Sequence, residues 1–363
     1  MTEGQNISPR VAELAARQLR AGADQVTVAR ITGDASTRAY YRARAMESSL
    51  VISIYPEPFD ESERALDRLE RMEAASPAAR LSFANDPCAH IEATRLFLEA
   101  GLPVPQILAV SGRDRAMLFE DVGDVRLQDW LSEHSPAEAA TAYERAIELL
   151  VKIQEASGLA AGSDYIARHL AFDEPKLRWE LGFFFANYFT RHLGLKVDSA
   201  MANGVQQDFR AICSELAARP RVLTHRDYHA RNLMMAGGAM FIIDHQDARM
   251  GPASYDLASL VNDPYTSLGG DLSASLIERF IEMKARSSEP LANTGEFRNE
   301  FELMNVQRML KAVGTYSYQA AALDNLTYVD YIEPAIERAL VSISALGRFE
   351  RLRELLEKAR EMK

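Results

Sequence analysis

Cysteine and tryptophan are the scarcest residue types in this 363-residue chain, at two each. Cys88 and Cys213 stand far apart in sequence, which excludes the disulfide framework of a small secreted domain. Basic residues are also in deficit. The chain has 41 Lys and Arg against 52 Asp and Glu, a formal net charge of −11. That balance argues against nucleic acid as a partner, because phosphate backbones select basic surfaces. It also disfavours a strongly anionic ligand, unless a local basic pocket overrides the global sign. No uninterrupted apolar run is long enough to cross a bilayer, and Met1-Thr2-Glu3-Gly4-Gln5-Asn6 lacks the basic start and apolar block of a signal peptide. The reading is a cytoplasmic protein with no membrane partner. Low-complexity tracts and internal repeats are missing too.

What is there is an ordinary globular composition, 47% hydrophobic and 26% charged, in a chain long enough for a large core and two lobes. Ser8-Pro9 starts a peripheral helix over residues 8 to 21, with Val11, Leu14, Ala15 and Leu19 at helical spacing. Residues 26–31, 39–43 and 50–55 read as strands. A charged, exposed helix is expected over about residues 60 to 75. Asp86-Pro87 starts another, which ends at Gly101. Residues 107–110 and 116–120 make a hairpin around Ser111-Gly112-Arg113-Asp114, and the chain beyond is mostly helical.

The most informative stretch is His225-Arg226-Asp227-Tyr228-His229-Ala230-Arg231-Asn232, followed by Phe241-Ile242-Ile243-Asp244. It has the form H-R-D-x-x-x-x-N with an Asp closing a later apolar run. Enzymes of the kinase fold use this arrangement to hold a catalytic base and two magnesium ions around ATP. Phosphoryl transfer mostly needs positioning and charge neutralisation. One carboxylate must face the attacking hydroxyl, while a second carboxylate and a carboxamide hold the metals. Context sharpens the pattern, since residues 221–224, 233–235 and 240–243 are short apolar runs with a turn at Ala236-Gly237-Gly238. Asp227 is therefore the expected catalytic residue, and Asn232 and Asp244 the expected metal ligands. His225 is expected to brace the loop. A polar loop between two strands, with Asp227 capping a helix, is the competing structural reading.

These segments resemble the aminoglycoside phosphotransferase and choline kinase superfamily, and within it the bacterial anomeric kinases of N-acetylmuramate and N-acetylglucosamine in cell-wall recycling. The likeness spans about residues 30 to 320. It rests on Thr224–Met234, Ile243–Leu260, Gly33–Arg38 with Tyr40-Tyr41-Arg42, Leu102-Pro103-Val104-Pro105, Leu118–Asp124 and Val306–Tyr316. It implies an α+β, bilobal, protein-kinase-like fold with a small antiparallel-sheet lobe and a larger, mostly helical lobe. The corresponding division is a nucleotide-binding lobe over 1–119, a hinge over 120–124 and a catalytic, substrate-binding lobe over 125–363. ATP and Mg would be the cofactors, and the partner a small hydroxyl compound, an amino sugar. Residues 59 to 82 look like an insertion relative to the sugar kinases.

The resemblance also distributes roles. Gly33, Ser36 and Thr37 occupy the place of a phosphate-covering loop, although a bare hairpin turn would use the same residues. Glu120 and Val122 would offer backbone groups to adenine. The strand position that carries a phosphate-pairing lysine in kinases holds Ser53 here, and Arg38 or Arg42 could supply the missing charge. Glu92, the nearest match to that lysine's helix partner, reads as a solvated residue. Arg231, Gln246, Asp247 and Arg249 are candidate substrate contacts, though Asp247 and Arg249 could equally pair with each other. Asp256 would brace the loop. Trp179 and Phe183 to Phe189 read as a core stripe, while Gln307-Arg308 and Lys311 suit substrate contact and solvation alike. Aminoglycoside phosphorylation, another small-alcohol kinase activity, and a non-catalytic nucleotide-binding protein are the alternatives.

Overall fold

The computed structural model describes residues 7–31, 38–266 and 268–361. The first helix, Pro9–Gln18, begins as the sequence predicts: the Ser8 hydroxyl accepts the Val11 N–H at 3.3 Å, and Pro9 fills a position that needs no donor. Five antiparallel strands follow in the spatial order β1-β2-β3-β5-β4. They are β1 Thr27–Ile31, β2 Ala39–Ala45, β3 Ser48–Ile54, β4 Ile107–Ser111 and β5 Ala116–Glu120.

Alternation along these strands sorts their side chains into two layers. Tyr41, Ala43, Leu50, Ile52, Ala116 and Leu118 face the first helix, which covers them with Val11, Ala15 and Leu19. Val51, Met117 and Phe119 point the other way, toward Cys88, Ala89 and Ile91 of the Pro87–Glu99 helix. Arg38, Tyr40 and Arg42 step along this second face and reach a cleft.

Two expectations need correction here. The charged helix is Ala65–Ala75, and it is not wholly exposed, because Ala65 and Leu69 enter the inner core. Burying one leucine stabilises by roughly 1.5–3 kcal/mol, enough to dock an otherwise polar helix. Glu92 is not solvated either. Its buried carboxylate accepts the Ala65 N–H at 2.8 Å and the Ile166 N–H at 2.7 Å, so it joins two helix starts whose first donors have no partner inside the helix.

Beyond β5 the chain is mostly helical, giving the α+β arrangement expected of it. Helices Pro136–Glu155, Glu174–Phe185, Ser199–Ala217, Ser254–Val261 and Thr294–Leu323 enclose the main core. Phe184, Tyr188 and Phe189 lie in that core, while Trp179 is partly exposed. Two small strand pairs interrupt the helices. β6 Arg221–Thr224 pairs with β9 Arg249–Pro252, and β7 Leu233–Ala236 pairs with β8 Ala239–Ile242. Gly237 and Gly238 turn the second pair with φ of +55° and +78°, which glycine adopts without a Cβ clash. No helix among the described residues is long and apolar enough to cross a membrane.

Candidate active site

The loop after β6 is held from behind. Asp256, in the first turn of the Ser254–Val261 helix, accepts the N–H groups of His225 at 2.6 Å and Arg226 at 3.0 Å. His225 Nε2 donates to the Ile243 carbonyl at 2.9 Å, so Nδ1 is the ring's acceptor and takes the Asp227 N–H at 3.3 Å. One imidazole thus ties the loop to the strand end that precedes Asp244. Arg226 and Asp244 both have left-handed backbones, with φ of +88° and +61°. Such conformations cost of order 1–3 kcal/mol each and persist only where surrounding bonds enforce them.

The constraint brings Asp227, Asn232 and Asp244 to the wall of one cleft of about 770 Å³. Asp227 Oδ1 lies 2.9 Å from Lys311 Nζ and 3.6 Å from Arg308 Nη2, and Oδ2 lies 3.8 Å from Arg226 Nε. Burial opposes ionisation of this carboxyl. Lys311, Arg226 and Arg308 outweigh it and hold the group well below the usual carboxylate range. Asn232 donates its amide N–H to the Asp227 carbonyl at 2.8 Å, which leaves its amide oxygen as the atom for a cation. Asp244 Oδ1 accepts from Arg38 at 2.8 Å and from Gln246 at 3.0 Å. Burial raises the Asp244 pKa, but Arg38 and Gln246 reverse the effect and lower it on balance. An amide oxygen and a carboxylate are hard ligands that suit magnesium better than zinc. No group of three or more His, Cys, Asp or Glu among the described residues encloses a metal, so an ion here would draw further oxygens from water or phosphates.

The other residues singled out in the sequence divide into three groups. Gly33, Ser36 and Thr37 lie outside the described residues. Arg38, Arg42, Glu120, Val122, Arg231, Gln246 and Asp247 all line the cleft. Their partners qualify some of the readings. Arg42 meets Asp121 at 2.7 and 3.0 Å and Asp124 at 2.6 Å, so its charge ties β2 to the segment after β5. Asp247 pairs with Arg226 at 2.5 Å, not with the Arg249 side chain. Gln246 bridges Asp244 and Asn85. Arg231 stacks over the Tyr265 ring at 4.5 Å.

Arg249 is not brought into the cleft. It is buried, donating to the Asp247 and Phe83 carbonyls at 3.0 and 3.3 Å and packing over Phe172. The reason is β9: pairing with β6 turns this residue inward, where a loop could have turned it out.

The opposite wall comes from the Thr294–Leu323 helix, which presents Arg308, Lys311, Ala312, Thr315 and Gln319 to the cleft. Steps of three and four along a helix share one face, and that spacing was the available signal for these residues. Arg308 is fixed by a 2.9 Å bond to the Tyr255 hydroxyl. Tyr265, Tyr316 and Tyr328 complete this end of the cleft; Tyr316 closes the Val306–Tyr316 segment noted in the sequence, while no pattern marked Tyr265 or Tyr328.

Comparison with known proteins identifies the family. A model of the phosphotransferase enzyme family matches residues 27–292. The chain is 28% identical over 287 residues to the N-acetylmuramate/N-acetylglucosamine kinase of Pseudomonas aeruginosa, covering 79% of this chain and 75% of that one. It is 30% identical over 216 residues to the kinase of the same description from Neisseria meningitidis, covering 59% and 63%. Among solved structures it is similar to ADP-bound aminoglycoside phosphotransferase APH(2'')-Ib, with a TM-score of 0.56 at 12% identity over 92% of this chain and 98% of that one. That likeness is one of fold. With most of its length matched by the family model and its motif residues gathered in one cleft, the chain belongs to the phosphotransferase enzyme family.

Proposed function

We propose that this protein is an ATP- and Mg-dependent kinase that phosphorylates a hydroxyl of an amino sugar, as the names of its sugar-kinase relatives suggest, and that the hydroxyl is the anomeric one. The observation that carries the reading is Asp227, an ionised carboxylate clamped by Lys311 and opening onto the cleft that Asn232 and Asp244 share. Transfer through a loose transition state asks for orientation more than for a strong base. A carboxylate held well below its usual pKa fits that need: Asp227 accepts the hydroxyl hydrogen of the sugar and aims its oxygen. Asn232 and Asp244 hold magnesium, which when bound neutralises charge on the phosphates.

The division of the chain belongs to the same proposal. Residues 1–119 bind the nucleotide, 120–124 act as the hinge and 125–363 bind the acceptor. The backbone of Glu120 and Val122 meets adenine. Function in the cytoplasm, in cell-wall recycling, is part of this reading.

The acceptor end favours a sugar acid over an aminoglycoside. Arg231, Arg308 and Lys311 stand there beside Tyr265, Tyr316 and Tyr328. Rings with polar tips suit a pyranose, and cations suit a carboxylate such as that of N-acetylmuramate. The same cations repel a polycationic aminoglycoside. A non-catalytic nucleotide binder would have no need to keep Asp227, Asn232 and Asp244 together. The test is incubation of the protein with ATP, magnesium and each of N-acetylmuramate, N-acetylglucosamine, gentamicin and choline, with products read by mass. A gain of one phosphate on the sugars, and none on their methyl glycosides, is expected. Product from gentamicin or choline alone would overturn the sugar assignment.

A further inference from the structure

Kinases commonly hold the phosphates with a lysine on the third strand, steadied by a glutamate from the following helix. Both positions are altered here. Ser53 lies fully buried on β3, and its hydroxyl has no hydrogen-bond partner. Glu92 is turned away, bonded to the N–H groups of Ala65 and Ile166. Neither residue can supply the cation or its support.

Another set of side chains occupies the space between sheet, helix and metal site. Arg38, the residue before β2, extends a buried side chain to Asp244, with Nη2 2.8 Å from Oδ1. Its Nη1 lies 3.5 Å from Nδ1 of His90, which projects from the Pro87–Glu99 helix two residues before Glu92. The Tyr55 hydroxyl, from the residue just past β3, reaches the same Nδ1 at 2.6 Å. An arginine can only donate, so Nδ1 is an acceptor toward both groups. Arg38, His90, Phe119 and Asp244 all line the cleft. The helix therefore still holds a cleft-facing cation, through an imidazole instead of a carboxylate.

We infer that Arg38 replaces the strand lysine as the phosphate-facing cation, and that His90, backed by Tyr55, is the positioning residue that takes over from the helix glutamate. The substitution is coherent chemically. A guanidinium is longer than an ammonium and offers several donors, so it can reach Asp244 from the residue before β2 and still present its charge to the cleft. A neutral ring support adds no second negative charge beside Arg38, whose charge the Asp244 carboxylate already offsets in part. This inference rests on the kinase reading above, and nucleotide binding separates the two.

The experiment measures the Kd of Mg·ATP by titration without acceptor, together with thermal midpoints and steady-state constants, for the full chain and its variants. Arg38→Ala is expected to weaken Mg·ATP binding roughly 10- to 100-fold, the worth of a charge-assisted hydrogen bond, and to lower the thermal midpoint as well, because Asp244 loses a buried partner. His90→Leu should raise KM for ATP and leave KM for the sugar untouched. His90→Asn, which keeps an acceptor near the position of Nδ1, should recover most of that loss. Wild-type affinity in Arg38→Ala would overturn the inference while sparing the kinase reading. Loss in His90→Leu that His90→Asn fails to rescue would overturn the role given to His90. A wild-type protein that binds no Mg·ATP would instead overturn the kinase reading, and the inference with it.

Discussion

Lys311 Nζ lies 2.9 Å from Asp227 Oδ1, a contact that joins the last wall of the cleft to its central carboxylate. Burial pushes the Lys311 pKa down and Asp227 pushes it back up, while burial raises the Asp227 pKa and the surrounding cations lower it further. Each charge therefore depends on the other to stay ionised in a desolvated place. The sign of the pH effect follows. An acid whose folded pKa is depressed contributes stability above its unfolded value of about 3.9, and loses it as pH falls through the folded value. In the wild type Asp227 should thus be ionised throughout the working range and set no acid limb in kcat/KM. Removing the ammonium in Lys311→Met should raise the Asp227 pKa and bring an acid limb into view at higher pH, with kcat down roughly 10- to 100-fold. Lys311→Arg should retain most activity. A flat acid profile and wild-type kcat in Lys311→Met would show that the contact is incidental.

Glu92 offers a test of the opposite kind. In a kinase that uses its helix glutamate, loss of that residue damages catalysis. Here Glu92 instead accepts two backbone N–H groups at the starts of two helices. Glu92→Ala leaves both donors buried, and each orphaned group costs about 1–3 kcal/mol. The expected outcome is a lower urea midpoint with kcat and KM for ATP close to wild type, measured well below the transition. A rise in KM for ATP comparable with that of an Arg38 variant would return Glu92 to the nucleotide site.

How much of this was legible in the sequence depends on how far apart the partners lie. The loop from His225 to Asn232 and the later Asp244 could be read because the chemistry imposes their order and spacing on one contiguous segment. Lys311 could not be read in the same way, since it reaches Asp227 across 84 residues by helix packing. Its face was discernible from the 308, 311, 315 and 319 spacing, but which helix would close the cleft was not. Arg249 shows the reverse failure. Closeness to Asp244 in sequence suggested closeness in the site, and one unforeseen strand turned it into the core. Burial of Glu92 depended on where a charged segment would dock, and local composition pointed that segment outward.

The approach of the Thr294–Leu323 helix to its neighbour gives a third prediction. A Cβ built on Gly314 would stand 2.7 Å from the Phe184 Cα and 3.0 Å from its backbone nitrogen. Backbone cannot move aside as a flexible side chain can, so Gly314→Ala should cost about 1–3 kcal/mol by overpacking. The same shift would carry Lys311, three residues earlier, away from Asp227. Both the urea midpoint and kcat should fall, and kcat should fall more than Kd for ATP worsens. Unchanged stability would mean that the two helices are not locked at this point.

Metal removal addresses the donor set directly. Asn232 and Asp244 supply an amide oxygen and a carboxylate, too few to enclose an ion without phosphate or water. Magnesium should therefore bind weakly to the protein alone and tightly only with nucleotide. EDTA should abolish turnover, magnesium or manganese should restore it, and the thermal midpoint of the nucleotide-free protein should stay unchanged by either. Asn232→Ala should raise the magnesium concentration needed for half-maximal rate by roughly tenfold or more, while Asp227→Asn should leave that concentration alone and lower kcat by about 10²- to 10⁴-fold. The pairing is diagnostic because the two side chains share one loop. If both variants shifted the magnesium requirement equally, Asp227 would be a ligand, and the hydroxyl-orienting role assigned to it would pass to another group.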